Sequence, residues 1–95
     1  MKTEILVYTR QHCCLCEKMK QVVHPIAQKH FVPVKEIDVD GSPELKDKYT
    51  NEVPVLFING RKAFKYRVTA RALEARLVQA QTLQRRKLGS FFRRP

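Results

Sequence analysis

Apolar residues follow two rhythms along this chain. Ile5-Leu6-Val7-Tyr8-Thr9 is a short, nearly unbroken apolar run, which predicts a strand over 4–9 buried on both faces. Leu15, Met19, Val22, Val23 and Ile26 then recur at helical spacing, with Glu17, Lys18, Gln21 and Gln28 on the opposite face. Pro25 falls inside this helix and should kink it near Gln21, whose carbonyl loses its amide partner. Val32 to Val39 reads as a second strand. Its alternation slips once between Val34 and Ile37, which predicts a bulge or an edge position, and Pro33 near its start fits an edge. Ser42-Pro43-Glu44 is a helix start, with a serine cap, a proline in the first helical position and an acid in the first turn. That helix should end near Tyr49. Val55-Leu56-Phe57-Ile58 is a central strand. Asn59-Gly60 predicts a type I′ hairpin turn, and Lys62 to Tyr66 returns with Ala63 and Phe64 toward the core. Thr69 can cap a last helix whose apolar stripe is Ala70, Leu73, Leu77 and Ala80.

The order β-α-β-α-β-β-α predicts an α/β fold. A right-handed β-α-β unit, a hairpin and a helix give a four-stranded mixed sheet with helices on both faces. Ninety-five residues make one domain, expected over 1–84, followed from Gln84 by a basic, irregular and frayed tail over 85–95. No apolar run is long enough to span a membrane. Met1-Lys2-Thr3-Glu4 leads directly into the first strand pattern without a small-residue cleavage site, the start expected of a cytoplasmic chain. A monomer is expected.

Charge changes the picture only at the end of the chain. Residues 1–60 carry eight Lys/Arg against eight Asp/Glu, whereas residues 61–95 carry eleven against Glu74 alone, and together these give the net charge of +10. A basic end of this kind suits acidic partners, including nucleic acid, or simply provides a solvated face.

Cys13, Cys14 and Cys16 lie between the first strand and the first helix. Three clustered cysteines are not a disulfide framework, which would spread an even number along the chain. They point to redox or metal chemistry. Disulfide exchange needs one thiolate that attacks and a second thiol that resolves the mixed disulfide. A helix N-terminus offers free amides and the positive end of the helix dipole, so a cysteine there is stabilised as thiolate. Residues two apart on a helix point in nearly opposite directions, and a Cys13–Cys14 bridge would distort the peptide between them. Spacing selects Cys13 as attacking and Cys16 as resolving thiol, with Cys14 a bystander.

Three marks in order carry a resemblance over residues 3–80: Cys13-Cys14-Leu15-Cys16-Glu17 after the first strand, Val53-Pro54 before the third, and the Asn59-Gly60 hairpin. The chain resembles the glutaredoxin branch of the thioredoxin superfamily, in particular its small Cys-x-Leu-Cys proteins. The resemblance implies a thioredoxin fold and thiol–disulfide oxidoreductase activity toward protein disulfides or glutathionylated thiols. No bound cofactor is implied, with glutathione as a reductant or substrate. It implies that Pro54 is cis and packs against the cysteine pair, and that Val53 offers its backbone to an added peptide strand. It also implies that Arg10 meets a glutathione carboxylate. The stretch Phe64-Lys65-Tyr66-Arg67-Val68-Thr69-Ala70-Arg71 departs from glutathione-using relatives, which place a glycine pair and acids there. Leu15 stands where an aromatic is common.

Two other readings compete. His12, Cys13, Cys14 and Cys16 crowd four donors for a metal or an iron–sulfur cluster, but a closed structural zinc site draws pairs from separate segments, and no metal site is assigned. The basic end, with Phe91 and Phe92 as stacking residues, suits a nucleic-acid-binding module.

Overall fold

A computed structural model describes residues 3–49 and 51–93, with side chains of the last helix described as far as Thr82. The expected element order is observed. Strand β1 spans Ile5–Thr9, helix α1 Cys14–Lys29 and strand β2 Val34–Asp38. A 3-10 turn over Val39–Gly41 leads to α2, Pro43–Tyr49. Strands β3 (Val55–Ile58) and β4 (Arg61–Lys65) form the hairpin, and α3 spans Ala70–Arg93. The sheet order is β2-β1-β3-β4. β1 is parallel to β2 and antiparallel to β3, and β4 is antiparallel to β3.

The pleat sorts side chains between two cores. Ile5, Val7, Leu56 and Ile58 pack with Met19, Val23 and Ala27 of α1 and Leu73 and Leu77 of α3. Their neighbours on the strands, Tyr8, Val55 and Phe57, join Val39, Leu45 and Tyr49 in a second cluster beside α2. There Tyr8 stacks on Tyr49 at 4.7 Å between centroids, and Phe57 meets Tyr8 edge-on at 5.5 Å. Each fully buried aliphatic side chain of the first core contributes roughly 1.5–3 kcal/mol. The second face is thinner. α2 has seven residues, and Leu6 and Tyr8 are half-buried rather than buried.

Local signals act as anticipated at several ends. Ser42 Oγ accepts from the Leu45 amide at 3.5 Å, and Thr69 Oγ1 accepts from Ala72 at 3.1 Å. Asn59 and Gly60 both adopt positive φ, 53° and 81°, as a type I′ turn requires.

Two expectations are narrowed by the structure, those for β2 and Pro25, and two are corrected, those for Ala70 and the chain after Gln84. The bulge lies between Leu56 and Phe57 opposite β4, while β2 pairs with β1 without a slip. β2 is the edge strand, and its broken alternation reflects Lys35 and Glu36 both facing water. α1 continues through Pro25 to Lys29; Pro25 and Gln21 are exposed, so water can serve the freed Gln21 carbonyl. Ala70 is exposed, leaving Leu73 and Leu77, with half-buried Ala80, as the stripe. The backbone of α3 stays helical past Gln84 to Arg93, because Leu83 to Leu88 are strong helix formers even where the stripe stops. The proposed stacking residues Phe91 and Phe92 lie outside the described side chains.

Phe31 ends α1 in an unusual way. The Val32 amide reaches Ala27 O at 2.8 Å and the Phe31 amide reaches Gln28 O at 3.2 Å, a Schellman motif whose left-handed position is usually glycine. Here that position is Phe31, at φ 56° and 94% exposed.

Candidate functional site

The loop after β1 turns through His12, whose φ is 57°, and delivers Cys13 in an extended conformation as the N-cap of α1. A cap side chain normally accepts an amide with an oxygen. Here the Cys13 sulfur takes that role, accepting from the Cys16 amide at 3.2 Å, while the Cys13 carbonyl accepts from Glu17 at 3.1 Å. Cys13 is half-buried, Cys14 exposed and Cys16 fully buried. All three are free thiols. The helix therefore brings Cys13 and Cys16 together and turns Cys14 outward.

Cys16 lies on the inward face of α1, with Met19 and Val23 following it. Thr9, in phase with Ile5 and Val7 at the end of β1, is also buried. Burial pushes the Cys16 thiol above its ordinary value. The adjoining Cys13 sulfur adds to this, and the Thr9 hydroxyl and Arg10 backbone pull the other way without cancelling it. Thr9 Oγ1 makes no well-formed hydrogen bond of its own, a distinction it alone holds among the buried side-chain oxygens and nitrogens of the described residues.

Arg10 does not stand open to a ligand carboxylate. Its guanidinium grips Asp40 with two bonds, Nε to Oδ2 at 2.9 Å and Nη2 to Oδ1 at 3.0 Å, tying the site loop to the 3-10 turn. The Val53–Pro54 bond is cis, Pro54 is buried and Val53 half-buried. The Pro54 carbonyl accepts from the Tyr66 amide at 2.8 Å. Tyr66 also donates its hydroxyl to the Asn51 carbonyl at 2.8 Å, so it straps the segment before β3 from two points. It does this at φ 69°, a backbone region that is rare for an aromatic residue.

Two clefts flank the first turns of α1. One, about 420 Å³, is polar and includes Arg10, His12, Glu17, Lys20 and Glu36. Its charges are matched internally: Lys20 lies 3.4 Å from both Glu17 and Glu36, and His24 is 2.6 Å from Glu36. Partial burial would raise the Glu36 carboxyl, but the His24 hydrogen bond and the Lys20 charge outweigh it and hold the group below its usual range. The second cleft, about 400 Å³, is walled by Leu15, Met19 and Val22 of α1, Phe64 of β4 and Val68 ahead of α3. Among the described residues no group of three His, Cys, Asp or Glu side chains is placed to hold a metal ion.

Thr9 and Tyr66 are the site residues that sequence reasoning missed. Thr9 carried a signal, because it continues the Ile5/Val7 alternation to the end of a buried strand. Tyr66 carried none, since an aromatic in a left-handed turn is not announced by any local pattern.

The model of one family, the Glutaredoxin-like domain (DUF836), matches residues 4–78. The Glutaredoxin-like protein YDR286C homolog of Dictyostelium discoideum is 33% identical over 70 residues, which cover 67% of this chain and 65% of that protein. Among solved structures, target protein XcR50 from X. campestris superposes with a TM-score of 0.66 at 26% identity, over 79% of this chain and 96% of that one. Reduced desulfothioredoxin from Desulfovibrio vulgaris Hildenborough gives 0.59 at 26% identity, over 79% and 78%. The fold is thus the thioredoxin fold, and the relatives are of thiol-redox type. No helix of the described residues is long and apolar enough to cross a membrane.

Proposed function

Because the chain belongs to the glutaredoxin-like family, we propose that it is a thiol–disulfide oxidoreductase exchanging a Cys13–Cys16 dithiol/disulfide with protein disulfides or glutathionylated thiols. The observation that carries this reading is the capped sulfur. Cys13 Sγ sits at the start of α1, 3.2 Å from the Cys16 amide, with the second thiol buried directly behind it.

In the first step the Cys13 thiolate attacks one sulfur of the substrate disulfide. A Cys13–substrate bond forms, the substrate S–S bond breaks, and the departing sulfur leaves as thiolate. Burial keeps Cys16 protonated at this stage. In the second step Cys16 loses its proton and attacks Cys13 Sγ. This frees the substrate thiol and leaves the Cys13–Cys16 disulfide, so two electrons pass to the substrate. Glutathione or a protein dithiol then restores the pair. Val53 and cis Pro54 border the substrate groove in this reading. Arg10, held by Asp40, is assigned to positioning the site loop.

A redox titration in glutathione buffers, followed by intact mass and disulfide mapping, tests the reading. A reversible Cys13–Cys16 disulfide, or glutathione on Cys13 alone, supports it. Three thiols without a reversible couple would overturn it.

A further inference from the structure

We infer that the apolar cleft beside Leu15 seats the segment flanking the reacting cysteine of a substrate protein, and that it selects a large apolar side chain next to a carboxylate. This inference rests on the exchange chemistry proposed above. Three observations point to it.

Two of its lining residues tie the cleft to the site described above. Leu15 belongs to the Cys13–Cys16 segment, and Tyr66 is bonded to the Pro54 carbonyl at 2.8 Å. Its walls are mainly apolar, and its volume of about 400 Å³ exceeds what one leucine or phenylalanine side chain needs. Its charge is one-sided: Lys18 and Arg67 line it, no carboxylate does, and neither cation has an ion-pair partner among the described residues. The cleft on the other flank of α1 is the opposite case, because Arg10 and Lys20 are already matched by Asp40, Glu17 and Glu36. A substrate acid would have to displace those partners, whereas beside Leu15 it meets two unmatched cations. Glutathione offers carboxylates but no apolar side chain, so it would leave the walls of this cleft uncovered.

The test uses the reduced full-length chain and short peptides. Each peptide carries one cysteine as a mixed disulfide with thionitrobenzoate, flanked by Leu-Glu, Leu-Lys, Ser-Glu or Ser-Lys. Attack by Cys13 joins the peptide sulfur to the protein and releases coloured thionitrobenzoate, so a single-turnover trace reads the rate. The Leu-Glu peptide is expected to react at least about tenfold faster than Ser-Lys, since burying one leucine alone can supply that factor. The Leu-Glu to Leu-Lys ratio should fall with added salt. In Arg67→Glu with Lys18→Glu that ratio should drop to one or invert. Because ratios are read within each protein, a general loss of reactivity in the variant cancels.

Equal rates for all four peptides, with bis(2-hydroxyethyl) disulfide still reduced, would overturn the cleft assignment and leave the exchange chemistry standing. The same holds if the glutathione mixed disulfide reacts as fast as Leu-Glu. No reaction with any disulfide would overturn both.

Discussion

Replacing Thr9 by valine separates two roles of one buried hydroxyl. Thr9 is 6% exposed, and its Oγ1 has no well-formed hydrogen bond; the Cys16 sulfur is the titratable group it acts on. An unsatisfied buried hydroxyl costs roughly 1–3 kcal/mol, and a neutral thiol, a weak acceptor, offsets little of that. Valine keeps the shape and removes the hydroxyl. The reduced protein should therefore gain about 1 kcal/mol, which in a domain of this size raises Tm by roughly 4–8 °C. The resolving step should move the other way. A hydroxyl donating to a charged sulfur is worth about 1.5–3 kcal/mol, so losing it makes the Cys16 thiolate harder to form. Slowing of roughly tenfold near neutral pH corresponds to about 1.4 kcal/mol, the lower end of that range. The assay traps the Cys13–peptide mixed disulfide, quenches with acid at timed intervals and follows its decay by intact mass across pH. The decay profile should shift to higher pH in Thr9→Val and return in Thr9→Ser. Attack by Cys13, read separately, should change little. A variant that is less stable and resolves at the original rate would refute this account of Thr9.

Other outcomes follow from the same structure. Cys13→Ser should abolish exchange, Cys16→Ser should accumulate a mixed disulfide on Cys13, and Cys14→Ser should change little; intact mass after substrate addition checks all three. Because burial raises Cys16, its contribution to the stability of the reduced protein is complete below the unfolded thiol pKa of about 8.5. It is lost as pH rises through the higher folded value, and Cys16→Ala should flatten that alkaline loss in denaturant titrations. Glu36 has the opposite sign: its folded value is lowered, so its contribution is present above the unfolded carboxylate range and lost as pH falls through the folded value. Glu36→Gln should flatten the acid limb of stability against pH. Phe31→Gly relieves a left-handed conformation worth about 1–2 kcal/mol while exposing nothing, since Phe31 is already 94% exposed. Glycine's extra freedom in the unfolded chain returns about 0.5–1 kcal/mol, so a gain near 0.5–1 kcal/mol is expected by thermal or urea unfolding.

Most of the fold was legible because its signals are local. Strand periodicity, the Ser42 and Thr69 caps and the Asn59-Gly60 turn each depend on a few neighbouring residues, and each appears where the sequence placed it. The cysteine arrangement was legible for the same reason, since spacing along one helix decides which sulfur faces which. What escaped depends on tertiary partners. Arg10 was expected to await an anion, but Asp40 comes from a turn thirty residues away, and nothing near Arg10 in sequence announces it. The slip in β2 left a bulge and an edge position both open, and only the sheet order decides for the edge; the bulge between Leu56 and Phe57 was hidden in the well-formed hairpin. Tyr66 takes its place from Pro54 and Asn51, beside it at the end of the β3–β4 ladder, not from its own neighbours.

The sulfur cap of α1 has a consequence for electron affinity. When Cys13 is reduced, its sulfur holds the Cys16 amide at 3.2 Å. Once that sulfur is bonded to another, it is a poorer acceptor and the first turn loses part of its cap. Caps contribute about 0.5–2 kcal/mol, and for a two-electron couple 1.4 kcal/mol corresponds to about 30 mV. The helix thus favours the reduced chain and lifts its midpoint potential by tens of millivolts, making the disulfide form a better oxidant than the same two cysteines in an unfolded peptide.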